Sequence, residues 1–217
     1  MRRSHTEKPL RGLNLTPVVA AVGGLCVVVF LLTMGATPSQ SEALLFQYGL
    51  TPVRFDPAAP EHFASWTEAV TALFAHAFLH AGPFHLFMNM LAFVQAGPFV
   101  EQRIGSPRFA VLYVASILGG AVGYILINPH STAPAIGASG AICGVFGAYF
   151  LAVRPTPRAA LADPQVRNAM LTFLAVNVVL MALLHLPIAW EAHLGGFVVG
   201  ALAYPLLAPR APAGPWS

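Results

Sequence analysis

An all-α, polytopic membrane helix bundle is the fold this chain predicts, on three observations. Of its 217 residues, 57% are hydrophobic and only 9% charged, against roughly 25% charged in a soluble domain. The mean hydropathy is +0.69. The apolar residues also gather into stretches approaching the roughly 20 residues that a helix needs to cross a hydrocarbon core of about 30 Å.

Six candidate spans follow in order. The first runs from Leu15 to Ala36 and lacks the short length and cleavage site of a signal peptide. The next four run from Pro83 to Val100, Arg108 to Ile127, Ser139 to Val153 and Asn168 to Leu186, and the sixth from Trp190 to Ala208. The fourth is about 22 Å long at 1.5 Å per residue, too short to reach both surfaces, so one end must begin inside the membrane. Between the first and second spans, Thr37 to Phe74 holds four prolines (Pro38, Pro52, Pro57, Pro60) and the rings of Phe46, Tyr48, Phe55, Phe63 and Trp66. Such an aromatic, half-apolar loop is at home in the membrane interface, so residues 37–74 are expected to lie there beside the bundle.

Charge placement orients the bundle. Arg2, Arg3, Lys8 and Arg11 precede the first span, and Arg103 and Arg108 flank the turn between the second and third. Arg154, Arg158 and Arg167 separate the fourth and fifth, and Arg210 follows the sixth. Six spans put ten of the eleven basic residues on one side and only Arg54 on the other, which marks the first side as cytoplasmic. Residues 1–13 and 210–217 are then cytoplasmic tails of one membrane domain, 14–209. The pI of about 9.2 reflects these topology-setting charges and implies no nucleic-acid partner. The sparse charge and Ala/Pro-rich composition fit a bacterial inner membrane. Cys26 and Cys143 both fall inside apolar runs, as small buried hydrophobes do.

Four polar side chains converge at one depth. Ser139 opens the fourth span, in Gly137-Ala138-Ser139-Gly140, and His193 lies near the outer end of the sixth, in Ala192-His193-Leu194-Gly195-Gly196. His85 and Asn89, four residues apart and so on one helix face, begin the second span. Polar groups inside a membrane face the bundle interior or a wet cavity and mark function. A serine hydroxyl needs a base to take its proton, and His193 is the candidate. His85 and Asn89, with backbone N–H groups at the start of the fourth helix, are candidate donors to an oxyanion. All eight acidic residues lie in tails, loops or span ends, and Glu191, two residues from His193, points to another helix face. The chemistry expected is therefore a Ser-His dyad. Gly140, Gly144 and Gly147 on the fourth span and Gly196 and Gly200 on the sixth let two membrane helices approach closely, which would bring Ser139 to His193.

Other readings fit less well. A soluble-hydrolase elbow needs Gly-x-Ser-x-Gly, and the fifth residue here is Ala141. His76, His80 and His85 cluster in sequence, but no His-Glu-x-x-His occurs and no cysteine or carboxylate completes a set, so no metal is expected. His130 and His185 sit in a loop or at a helix end and read as structural. A transporter would show charges or broken helices at mid-membrane in paired halves, which this chain lacks.

These residues resemble the rhomboid family of intramembrane serine proteases over roughly Phe46 to Pro205. The likeness rests on Gly-x-Ser-Gly at 137–140, Ala-His-x-x-Gly at 192–196, the His85/Asn89 pair, and Glu-x-Arg-x-Gly at Glu101, Arg103 and Gly105. It implies Ser139 as nucleophile, His193 as general base, His85 and Asn89 in the oxyanion hole, and His80 as a brace for the loop before the second span. It further implies a six-helix core and transmembrane protein substrates, cut near the outer membrane surface without cofactor. The alternative is a catalytically inactive rhomboid-like binder of membrane proteins, although such relatives typically lack the serine or the histidine. Two departures stand out. The Trp-Arg pair that many rhomboids carry shortly before the position of His80 is missing, since Trp66 comes too early and is followed by Thr67. An aromatic often found four residues after the serine is replaced by Cys143.

Overall fold

The computed structural model describes residues 15–154, 156–172, 175 and 189–209. Both expected tails, most of the fifth span with His185, and Arg2, Arg3, Lys8, Arg11 and Arg210 lie outside the described residues. Within them the chain is helical: α1 (Pro17–Thr33), α2 (Pro38–Tyr48), α3 (Trp66–Ala75), α4 (Pro83–Ile104), α5 (Ser106–Ile127), α6 (Ser139–Val153), α7 (Pro157–Ala162), α8 (residues 164–172) and α9 (Trp190–Leu207). Single 3-10 turns occupy Pro52–Phe55 and His76–Phe78. Among the described residues the only β-pairing is an isolated antiparallel bridge between Leu50 and Ala135.

The first loop is more ordered than its four prolines suggest. Pro38 and Pro52 each sit at the first position of a helix, where the missing N–H costs nothing. Thr37 caps α2 with a full capping box through Gln40, and Ser65 caps α3 through the Glu68 amide. Residues 37–74 therefore form two helices and a compact turn.

Length and hydropathy make α5 the one described helix that alone could cross a membrane; α3 and α4 pass together, but bend by 83° where they join. The apolar helices α1 and α6 have 17 and 15 residues. The exterior is apolar nonetheless. Leu25, Val28, Leu32, Val111, Val114, Leu126, Val198 and Leu202 all point outward and exposed. A belt of this kind calls for hydrocarbon around it.

Inside, Phe93 of α4 meets Phe109 and Tyr113 of α5, with ring centroids 6.3 and 5.3 Å apart. The closest packing joins α6, α9 and α5. A Cβ added at Gly196 would overlap the Gly140 carbonyl oxygen, one at Gly200 the Gly144 carbonyl, and one at Gly144 the Ser116 hydroxyl. The glycines are what allow the backbones to touch.

The other end of the bundle is held by the Glu101-Gln102-Arg103-Ile104-Gly105 segment. Glu101 is 2% exposed. Its carboxylate accepts from Thr16 Oγ1 (2.5 Å), Val18 N (3.0 Å), Val19 N (3.1 Å) and Ser106 Oγ (2.6 Å), so one side chain caps α1 and ties it to the α4–α5 turn. Arg103 donates to the Ala152 carbonyl at the end of α6 (2.8 Å) and lies over the Phe99 ring. Gly105, at φ +81°, makes the tight turn into α5. Beyond α6, Asp163 accepts from the Val166 and Gln165 amides and pairs with Arg154. The Val166 bond foremost, with the others, holds the Asp163 carboxyl below its ordinary range.

Gly196→Ala is expected to destabilise the protein by about 2–3 kcal/mol, lowering Tm in detergent by roughly 5–10 °C. Gly24→Ala, whose added methyl meets no atom within 4 Å, should leave Tm within about 2 °C as a control. Thermal unfolding of both variants followed by circular dichroism checks the pair.

Candidate active site

The segment that delivers Ser139 is fixed from two sides before the helix starts. On one side, Leu50 and Ala135 exchange both backbone hydrogen bonds (3.0 and 2.9 Å) and Val53 N donates to Ser131 O (3.1 Å). On the other, the Tyr124 hydroxyl of α5 donates to Ala133 O at 3.0 Å. Gly137 N then donates to the His76 carbonyl at 2.9 Å. Gly137 has φ +117°, a conformation that favours glycine. It also needs the space, because a Cβ there would stand 2.8 Å from Cε1 and Nε2 of His85. The chain turns into α6 at Ala138, and Ser139 is the first helical residue.

The structure brings Ser139 and His193 into contact: His193 Nε2 and Ser139 Oγ are 2.8 Å apart. Both side chains are half-buried. The contact is made possible above the glycine seam, where a Cβ on Gly140 would lie 3.3 Å from the Ala192 carbonyl oxygen. Among the described residues no carboxylate pairs with the imidazole. At the start of α6, the N–H groups of Ser139, Gly140 and Ala141 have no acceptor within the helix.

His85 presents its ring edge, Cε1 and Nε2, to Gly137. Its Nδ1 accepts from the Ala81 amide at 3.4 Å, which assigns the proton to Nε2, the atom on the Gly137 side. Asn89 is buried on the same helix, but its Nδ2 donates to the His85 carbonyl (2.9 Å) and its Oδ1 has no partner. His80 Nδ1 donates to Phe78 O at 3.2 Å, and its ring meets His85 edge-on at 5.1 Å. His76 Nδ1 donates to Ala72 O at 2.9 Å. Cys143 is buried one turn along α6 from Ser139, with a free thiol. The ties from Leu50, Val53 and Tyr124 to residues 131–135 left no mark in the sequence pattern. Gly137 alone gave a signal, as the first residue of the Gly-Ala-Ser-Gly turn.

Residues 67–210 match the Rhomboid domain family. The chain is 30% identical over 198 residues to YdcA of Bacillus subtilis (strain 168), a protein named for the rhomboid proteases, across 91% of this chain and 92% of the relative. It is 33% identical over 178 residues to RHOMBOID-like protein 1 of Arabidopsis thaliana, across 82% of this chain and 44% of the relative. With Rhomboid protease GluP of Bacillus subtilis (strain 168) it shares 31% identity over 132 residues, 58% of this chain and 24% of the relative. The chain therefore spans most of YdcA but less than half of the other two.

The geometry around His85 predicts its tautomer. Histidine-selective 15N spectra of the protein in detergent should show His85 as the Nε2–H form at neutral pH, and an Nδ1–H signal would contradict the assignment. Gly137→Ala should displace this ring and cost about 1–3 kcal/mol through its disfavoured φ, measurable as a lowered Tm with a shifted His85 resonance.

Proposed function

This chain belongs to the rhomboid family, and from that premise we propose that it is an intramembrane serine endopeptidase cutting transmembrane segments with a Ser139–His193 dyad. The proteases of this family are membrane-embedded serine proteases. The observation that carries the reading to this chain is the 2.8 Å contact between His193 Nε2 and Ser139 Oγ at the first residue of α6. Donors without intrahelical acceptors surround it.

In the proposed reaction the substrate carbonyl carbon approaches Ser139 Oγ from the outer side of the bundle. His193 Nε2 takes the hydroxyl proton as the Oγ–C bond forms. The oxyanion is met by N–H groups at the start of α6 and by His85 Nε2–H. Asn89 would join them by releasing the His85 carbonyl. The tetrahedral intermediate collapses as His193 returns the proton to the leaving amine. Water, deprotonated by the same imidazole, then frees the acyl group. With no acid paired to the imidazole among the described residues, helix packing orients the base.

The membrane arrangement belongs to the same proposal. Six spans within residues 14–209 place both termini in the cytoplasm and the dyad in the outer part of a bacterial inner membrane, and Arg103, Arg108, Arg154, Arg158 and Arg167 on one side support that orientation. Residues 37–74, with Trp66 88% exposed at the start of α3, would rest in the outer interface.

The test combines labelling with cleavage. Wild-type protein in detergent should react with a fluorophosphonate and cut a model transmembrane substrate, and Ser139→Ala and His193→Ala should abolish both. His85→Ala and Asn89→Ala should each slow cleavage by about 10²- to 10³-fold, as lost oxyanion donors do. Cleavage retained by Ser139→Ala would sink the reading. A wild type that neither labels nor cuts, yet co-purifies with membrane proteins, would favour the inactive-binder alternative.

A further inference from the structure

Arg54 is the one basic residue that charge placement puts on the outer side, and it is nearly enclosed, at 5% exposure. Its guanidinium lies between two rings, 3.9 Å from the Phe46 centroid and 4.1 Å from that of Phe63. Arg54 Nε donates to Glu61 O at 3.0 Å, Nη1 donates to Phe46 O, and Nη2 stands 3.8 Å from Glu68. Its own carbonyl accepts from Phe63 N at 3.0 Å. One side chain thus gathers the end of α2, the turn around 59–63 and the first turn of α3. A planar guanidinium can stack on both faces while forking to separate carbonyls; an ammonium cannot.

What this assembly touches gives it a role. Its inner edge, Leu50 to Val53, makes three backbone hydrogen bonds to Ser131 and Ala135, in the segment that runs into Gly137. At the far end of α3, the His76 carbonyl receives the Gly137 amide. The turn before Ser139 is therefore gripped at both ends by the loop that Arg54 holds together.

Building on the protease reading above, we propose that Arg54 is a positioning residue for the dyad: by fixing the first loop it sets the 131–138 segment, and so the placement of Ser139 against His193. It touches neither the substrate nor the reacting atoms. Arg54→Ala should lower kcat about 10-fold or more per folded molecule with KM within about 3-fold, and should slow labelling by a small fluorophosphonate in parallel. Arg54→Lys should recover part of both. Hydrogen exchange of peptides covering 131–138 should quicken in Arg54→Ala while peptides of α5 stay protected.

These measurements are made well below each variant's Tm, with the folded fraction determined. If Arg54→Ala does not fold, Arg54→Lys and Tyr124→Phe, which frees the same segment from α5, take the same assays. A Tm loss with unchanged kcat per folded molecule overturns the proposal. So does a raised KM with unchanged labelling, which would assign Arg54 to substrate docking, and so does unchanged exchange at 131–138. A wild type that neither labels nor cleaves defeats the protease reading itself, and this proposal falls with it for that separate reason.

Discussion

The hydrogen bond between a serine and a histidine on two different helices of this bundle rests on an unusually close approach of the two backbones. Ser139 opens α6 and His193 lies in the first turn of α9, and neither side chain is long. Their 2.8 Å contact depends on the seam below, where Gly140 and Gly144 face Gly196 and Gly200, with Ser116 of α5 against Gly144. Lipid offers no hydrophobic drive between helices, so this association comes from close packing. Among the described residues no carboxylate pairs with the imidazole, so that packing is also what aims the His193 ring.

The two ends of the bundle use polar contacts differently. At the Glu101 end, one buried carboxylate satisfies amides of α1 and hydroxyls of Thr16 and Ser106. In a membrane an unmade backbone hydrogen bond is expensive, so a single acceptor serving several donors is an economical clasp. At the other end the contacts run through loop backbone. The first loop, 85 residues before Ala135 in sequence, supplies the pairing that leads the chain into Gly137. Each half of α6 is thereby held, its start by the loop and its end by Arg103 on the Ala152 carbonyl.

Much of this was legible where the determinants are local. The fourth apolar stretch became α6 with its expected ends, because a glycine-rich turn and Arg154 punctuate it. The second stretch ran on from Val100 to Ile104. Glu101 looked like a loop charge, but it faces inward to partners some 80 residues away in sequence, and no local pattern encodes them. The first loop was legible as an aromatic interfacial stretch, but not that Pro38 and Pro52 start helical turns within it. In the candidate site, the Ser139 and His193 spacing against glycines announced their neighbourhood. Asn89 turned out to bond its own helix, a choice of rotamer that residue type and spacing leave open. Arg54 was visible only as a lone outer charge, because its value lies in two rings and two carbonyls that fold around it.

The glycine seam also constrains how this sequence can vary over generations. Where two side chains collide, a second substitution can trim the partner and restore the fit. At Gly196 the obstacle is the carbonyl oxygen of Gly140, and at Gly200 that of Gly144. Every amino acid carries that oxygen, so no replacement at 140 or 144 can make room. Suppressors of a larger residue at 196 or 200 would have to move a whole helix, and moving it would separate the serine from the histidine. These positions are ones where drift has no reverse gear.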